Sequence, residues 1–143
     1  MTQAWSPDSW RGLPIRQVPG YSDEAALGTR GQTYLRGYQM TDDGGAVTFR
    51  TIYPGWYPGR TVHVHVLIRA FDASGNTALQ LTTQMYFDDA ITDAVLAGAP
   101  YDSRNRRDQT NATDSLYRSS LEAELARAGD GYEATFRIGL ETA

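Results

Sequence analysis

The sequence predicts a mainly β protein, an antiparallel sandwich carrying one short helix. Short β-branched and aromatic runs alternate with Gly, Asn and Asp clusters from Gln32 onward. That is the rhythm of hairpins and not of βαβ units. A single stretch carries both a helix start and a helix stop. A chain of 143 residues is long enough for one proper core and too short for two.

Each element has its own signal. Residues 1–30 read as irregular, because Pro7, Pro14, Pro19 and several glycines break any period. Trp5 and Trp10 suggest that this arm packs on something. Strands are expected over Gln32–Thr41 and Ala46–Tyr53, joined by the turn Asp42-Asp43-Gly44-Gly45. The loop Pro54–Gly59 leads into a strand over Thr61–Phe71. Asp72-Ala73-Ser74-Gly75-Asn76 then reverses the chain into Ala78–Phe87. Asp88 and Asp89 are N-cap candidates for a helix over Ala90–Ala97, closed by Gly98 with Pro100 just beyond. Leu121–Ala128 fits helix or strand, but the Gly129-Asp130-Gly131 turn into a strand over Tyr132–Leu140 favours a hairpin arm.

Composition removes whole classes of chemistry. The chain has no cysteine, which excludes disulfides, thiolate nucleophiles, iron–sulfur clusters and Cys-type zinc sites. All thirteen basic residues are arginine, which removes Schiff-base chemistry and the P-loop lysine. A net charge of −4 without a basic stripe argues against a nucleic-acid partner. No apolar run approaches membrane-spanning length, and Met1–Pro7 lacks the pattern of a signal peptide, so a cytoplasmic location is expected. Arg104, Arg106 and Arg107 in a polar loop read as a solvated cluster, or as contacts for an acidic substrate group.

The chemistry is concentrated in Tyr57-Pro58-Gly59-Arg60-Thr61-Val62-His63-Val64-His65-Val66, which holds both histidines of the chain. Strand alternation puts Thr61, His63 and His65 on one face and Val62, Val64 and Val66 on the other. Two imidazoles on one face, with a phenol arriving from the preceding turn, make a candidate metal site. The same spacing also fits two satisfied histidines on a half-solvated strand. Any metal here must bind through nitrogen and oxygen donors.

Three stretches, Thr33–Asp42, Val47–Tyr57 and Gly59–His65, together resemble the intradiol ring-cleavage dioxygenases, non-haem iron(III) enzymes. The similarity continues through Thr83-Gln84-Met85-Tyr86-Phe87 and Asn111-Ala112-Thr113-Asp114, covering roughly residues 28–143. It implies a ferric cofactor, a catechol-type aromatic diol and O2 as substrates, and a muconate-type diacid as product. Within it, Tyr57 would be a phenolate ligand and His63 and His65 the imidazole ligands. Arg60 matches the arginine that leans over the substrate, and Gln84 the glutamine near it. Trp56 and Tyr86 would line the pocket. A hard trivalent ion favours anionic oxygen donors and accepts imidazole, and direct coordination holds a tyrosine as phenolate at neutral pH.

The family's fourth ligand is a second tyrosine, and the matching stretch is Gln17-Val18-Pro19-Gly20-Tyr21-Ser22-Asp23. One alignment puts Val18 at the ligand position and loses a phenolate; another puts Tyr21 there as the fourth ligand. The resemblance implies that the family's first strands have no counterpart in this sequence. In their place, Trp5 through Leu27 is similar to the opening of class II DAHP synthases, over a part without catalytic residues. The expected organisation is therefore an irregular arm over 1–27 and a dioxygenase-like sandwich over 28–143. A sandwich without its early strands exposes backbone edges, which implies a homo-oligomer.

Overall fold

The computed structural model describes residues 2–5, 35, 37–102 and 106–140. Six strands, β1 (Thr2–Trp5), β2 (Thr48–Thr51), β3 (His63–Phe71), β4 (Thr77–Tyr86), β5 (Glu124–Ala128) and β6 (Gly131–Thr135), and helix α1 (Asp89–Leu96) make up the regular structure, with a 3-10 turn at Ser119–Leu121. They form a four-stranded sheet in the order β2-β1-β6-β5 and a two-stranded ribbon of β3 and β4. The mainly antiparallel architecture with a single helix among the described residues is the one the sequence predicts.

The ribbon follows its turn chemistry. Asp72 Oδ1 accepts from Ser74 N–H and Asn76 N–H at 2.9 and 2.8 Å, while Gly75 takes the left-handed conformation at φ 83°. The Asp and Gly of this turn are thus each used for what only they do well. The resulting register pairs His63 with Tyr86, His65 with Gln84 and Val64 with Met85. Val64, Val66, Ile68 and Met85 consequently share one face. That face meets Leu125, Tyr132 and Ala134 of the other sheet, together with Tyr53, Val62, Phe87, Ala123 and Phe136, in one core. The opposite face of the ribbon carries the histidines.

Helix α1 begins where expected. Asp88 caps it by accepting from Ile91 N–H at 2.9 Å, and Ile91, Val95 and Leu96 lean on the core. Thr92 is buried and bonds Tyr53 through its hydroxyl at 2.7 Å. Such a bond satisfies two hydroxyls that would otherwise be costly to bury.

Four expectations need correction. Residues 37–41 of the expected Gln32–Thr41 strand join no ladder, and Tyr38 and Met40 are 92% and 75% exposed. Alternating residues make a strand only where a neighbour accepts their hydrogen bonds. The arm over 1–27 is not irregular throughout, since Thr2–Trp5 lies between β2 and β6. Its pairing with β2 is parallel, a departure from a purely antiparallel sandwich. Arg107 is not solvated; it is buried and bonds Asp89 and Asp93 at 2.6 and 2.8 Å, holding its loop to α1. The rest of the arm, Val18 and Tyr21 included, lies outside the described residues.

Candidate metal centre

Tyr57 reaches β3 through a tight turn. In Tyr57-Pro58-Gly59-Arg60 the Arg60 N–H donates to the Tyr57 carbonyl at 3.4 Å, and Gly59 has φ 86°. Pro followed by a left-handed Gly is the pairing a type II turn requires. Asp108 accepts from the Gly59 N–H at 3.1 Å and ties the turn down. The turn folds Tyr57 back over the start of the strand and sets Arg60 beside it.

Three donor atoms converge there. The Tyr57 hydroxyl lies 3.1 Å from His63 Nε2, which lies 3.1 Å from His65 Nε2. The rings of Tyr57 and His63 meet edge to face, their centroids 5.5 Å apart. His63 Nδ1 is 2.7 Å from the Thr61 carbonyl. A carbonyl can only accept, so Nδ1 carries the proton and the Nε2 lone pair faces the Tyr57 hydroxyl and His65. Burial pushes the His63 pKa down to about 4, so the ring is neutral, the form that binds metals. His63 is buried while His65 is exposed, so the cluster opens to solvent on the His65 side.

The donor set fits a hard trivalent ion: one oxygen that becomes anionic on coordination, and two neutral nitrogens. Donors about 2.1 Å from one ion and at right angles lie roughly 3 Å apart, close to the separations seen here. Among the described residues no group of three or more His, Cys, Asp or Glu side chains is placed to hold a metal. The phenol is what completes this set.

Arg60 borders the cluster. Its Nε donates to Asp114 Oδ2 at 2.8 Å, and its Nη2 donates to Gln84 Oε1 at 2.5 Å and to the Tyr86 hydroxyl at 3.1 Å. Burial works against its charge, but the bond and charge of Asp114 raise its pKa all the same, and the guanidinium stays ionised. Tyr86 is fully buried, 5.8 Å from the His63 ring, and burial raises its pKa, so it is a neutral phenol. Arg60, Gln84 and Tyr86 are thus brought together around the histidines. Trp56 borders a different feature, an open cleft of about 390 Å³ beside the end of α1, lined also by Asp93, Leu96, Tyr101 and Arg106. Tyr57, His63 and His65 are not among that cleft's described lining residues.

Asp114 and Asn111 escape any reading of the sequence as site residues. Asp114 has a buried side chain and accepts from the Thr61 N–H at 2.9 Å as well as from Arg60. Asn111 accepts from the Thr61 hydroxyl at 2.9 Å. They come from a loop some fifty positions away, and the one available signal was the family-like Asn111-Ala112-Thr113-Asp114 stretch.

Solved structures with this fold point one way. An intradiol ring-cleavage dioxygenase from Tetranychus urticae is 30% identical, with a TM-score of 0.57 over 67% of this chain and 48% of that one. The dioxygenase domain of a dioxygenase–carbohydrate-binding protein fusion from the cellulolytic bacterium Streptomyces sp. SirexAA-E is 35% identical, with a TM-score of 0.54 over 88% of this chain and 63% of that one. A third, described as a dioxygenase, is 29% identical, with a TM-score of 0.56 over 67% of this chain and 47% of that one. The chain therefore spans between about half and three-fifths of the length of these structures. No protein-family model and no curated protein matches the sequence. In sequence and in fold, the chain is a relative of the intradiol ring-cleavage dioxygenases.

Proposed function

We propose that this chain holds a non-haem ferric ion on Tyr57, His63 and His65, with Tyr21 as fourth ligand, and cleaves a catechol-type diol with O2 to a muconate-type diacid. The convergence of the Tyr57 oxygen and two Nε2 atoms, each 3.1 Å from its neighbour, carries this reading. The relatives, all dioxygenases by description, support it. When bound, the ferric ion supplies the Lewis acidity that takes the diol as a dianion and makes its ring reactive toward O2.

The residues have separable tasks. Tyr57 gives up its proton and contributes negative charge to the cluster. His63 presents a lone pair whose direction is set by its bond to the Thr61 carbonyl. His65, at the exposed end, leaves a side open for a small planar substrate. Arg60 keeps a permanent positive charge beside the cluster, where it stabilises negative charge developing on the substrate ring. Gln84 and Tyr86 hold one edge of that guanidinium, and the hydroxyl of Tyr86 donates to Gln84 Oε1.

A second reading is a non-catalytic sandwich derived from the same family, with an incomplete metal site. It is favoured by the count of donors, which is three among the described residues. Elemental analysis and a visible spectrum, before and after adding catechol, separate the two. The enzyme reading expects stoichiometric iron, a broad phenolate-to-iron band, a shift of that band with catechol, and O2 uptake. A protein that stays colourless after ferric reconstitution, or takes up zinc in preference, refutes it.

A further inference from the structure

The Asp114 carboxylate makes bonds that reach both halves of the site, Arg60 and Thr61. Its side chain has no solvent exposure. Oδ2 accepts from Arg60 Nε at 2.8 Å and from the Thr61 N–H at 2.9 Å, and Oδ1 accepts from the Leu116 N–H at 2.8 Å. Burial pushes its pKa up, but the Leu116 and Thr61 N–H groups and Arg60 outweigh it and hold the group below the usual carboxylate range. A buried carboxylate with three N–H donors is a fixed point, unlike an exposed ion pair.

Two side chains of the site depend on that point. Arg60 has Nε on Asp114 and Nη2 on Gln84 and Tyr86, so the plane of its guanidinium is set from two sides. Thr61 is held through its N–H by Asp114 and through its hydroxyl by Asn111, and its carbonyl accepts a hydrogen bond from the His63 Nδ1–H. The loop itself is anchored, because Asn111 Nδ2 donates to the Phe87 carbonyl at 2.8 Å and its N–H donates to Asp89 at 3.0 Å. We propose that Asp114, with Asn111 beside it, is a positioning residue: it grips the Arg60-Thr61 dipeptide, aiming the guanidinium and locking the His63 tautomer. The catalytic consequence of this grip rests on the ferric reading; the grip itself does not.

The experiment has a metal-free arm and an iron-loaded arm, both on the full chain. In the metal-free protein, nitrogen NMR should show His63 as its Nδ1–H tautomer and a slowly exchanging Arg60 Nε–H. Asp114→Asn should speed that exchange roughly 10–100-fold, the loss of one charge-assisted hydrogen bond, and mix the His63 tautomers. In the iron-loaded protein, Asp114→Asn should lower kcat on catechol by roughly 100-fold with little change in KM. Adding it to Arg60→Gln should cost clearly less than the product of the two single losses, what remains being the share carried through Thr61 and His63. A rapidly exchanging Arg60 Nε–H in the wild type overturns the inference without any variant, whether or not Asp114→Asn folds. Unchanged exchange in the variant, or fully additive losses in the double variant, also overturns it. If the exchange and tautomer results hold while the wild type never cleaves catechol, the grip stands and the ferric reading falls.

Discussion

Replacing Tyr57 with Phe removes one oxygen and keeps the ring, so its two consequences can be computed apart. In the metal-free protein the lost contact is the Tyr57 hydroxyl to His63 Nε2, at 3.1 Å and half-buried. A neutral hydrogen bond of this kind contributes about 1 kcal/mol. His63 Nε2 also has His65 Nε2 3.1 Å away as an alternative donor, so this contact accounts for no more than that figure. For a domain of this size, about 1 kcal/mol lowers the melting temperature by roughly 3 °C. On the proposed ferric reading, with Tyr57 as a ligand, iron binding should suffer far more. Losing an outer partner of a metal ligand weakens binding about 10–100-fold, and removing the anionic ligand itself should exceed the upper end of that range. The assay pairs a thermal melt of metal-free protein with a ferric titration followed in the visible. Small thermal loss with loss of colour is expected. An undiminished band would remove Tyr57 from the ligand set, and a fall beyond about 10 °C would make it a structural residue.

Phe87→Ala should destabilise the domain by about 3–5 kcal/mol, because Phe87 is 1% exposed and packs on Tyr53 with centroids 5.0 Å apart; a urea midpoint near wild type would contradict this. Asp88→Ala deletes the cap on Ile91 N–H and should cost about 1 kcal/mol, read as a melting point a few degrees lower, with Asp88→Ser restoring most of it. Asp93 has its pKa lowered, chiefly by its hydrogen bond to Arg107, so its contribution is complete above the ordinary carboxylate range and disappears as pH falls through the depressed value. Urea midpoints measured from neutral pH down to about pH 3 should fall less steeply in Asp93→Asn than in wild type; parallel curves would show that the pair contributes nothing.

Local chemistry was legible where a few neighbouring residues carry the whole instruction. The Asp72–Asn76 turn, the Asp88 cap and the Gly129-Asp130-Gly131 reversal each state their geometry within five positions, and all three are realised. The His63–Val64–His65 alternation belongs with them, since a pleated strand must put both imidazoles on one face.

Other features have no local signature. Residues 37–41 alternate as a strand would, yet a strand exists only if a partner pairs with it, and no spacing says which segments will. Thr2–Trp5 joins a sheet through contacts with residues more than forty positions away. Likewise Asp114 reaches Arg60, and Arg107 reaches α1, across gaps that leave no period in the chain. The order of residues dictated turns, caps and the facing of two histidines, because those depend on backbone torsions and side chains a few bonds apart. Folding decided which buried carboxylate meets which arginine, because a charge withdrawn from water is tolerated only beside a partner, and that partner came from distant chain.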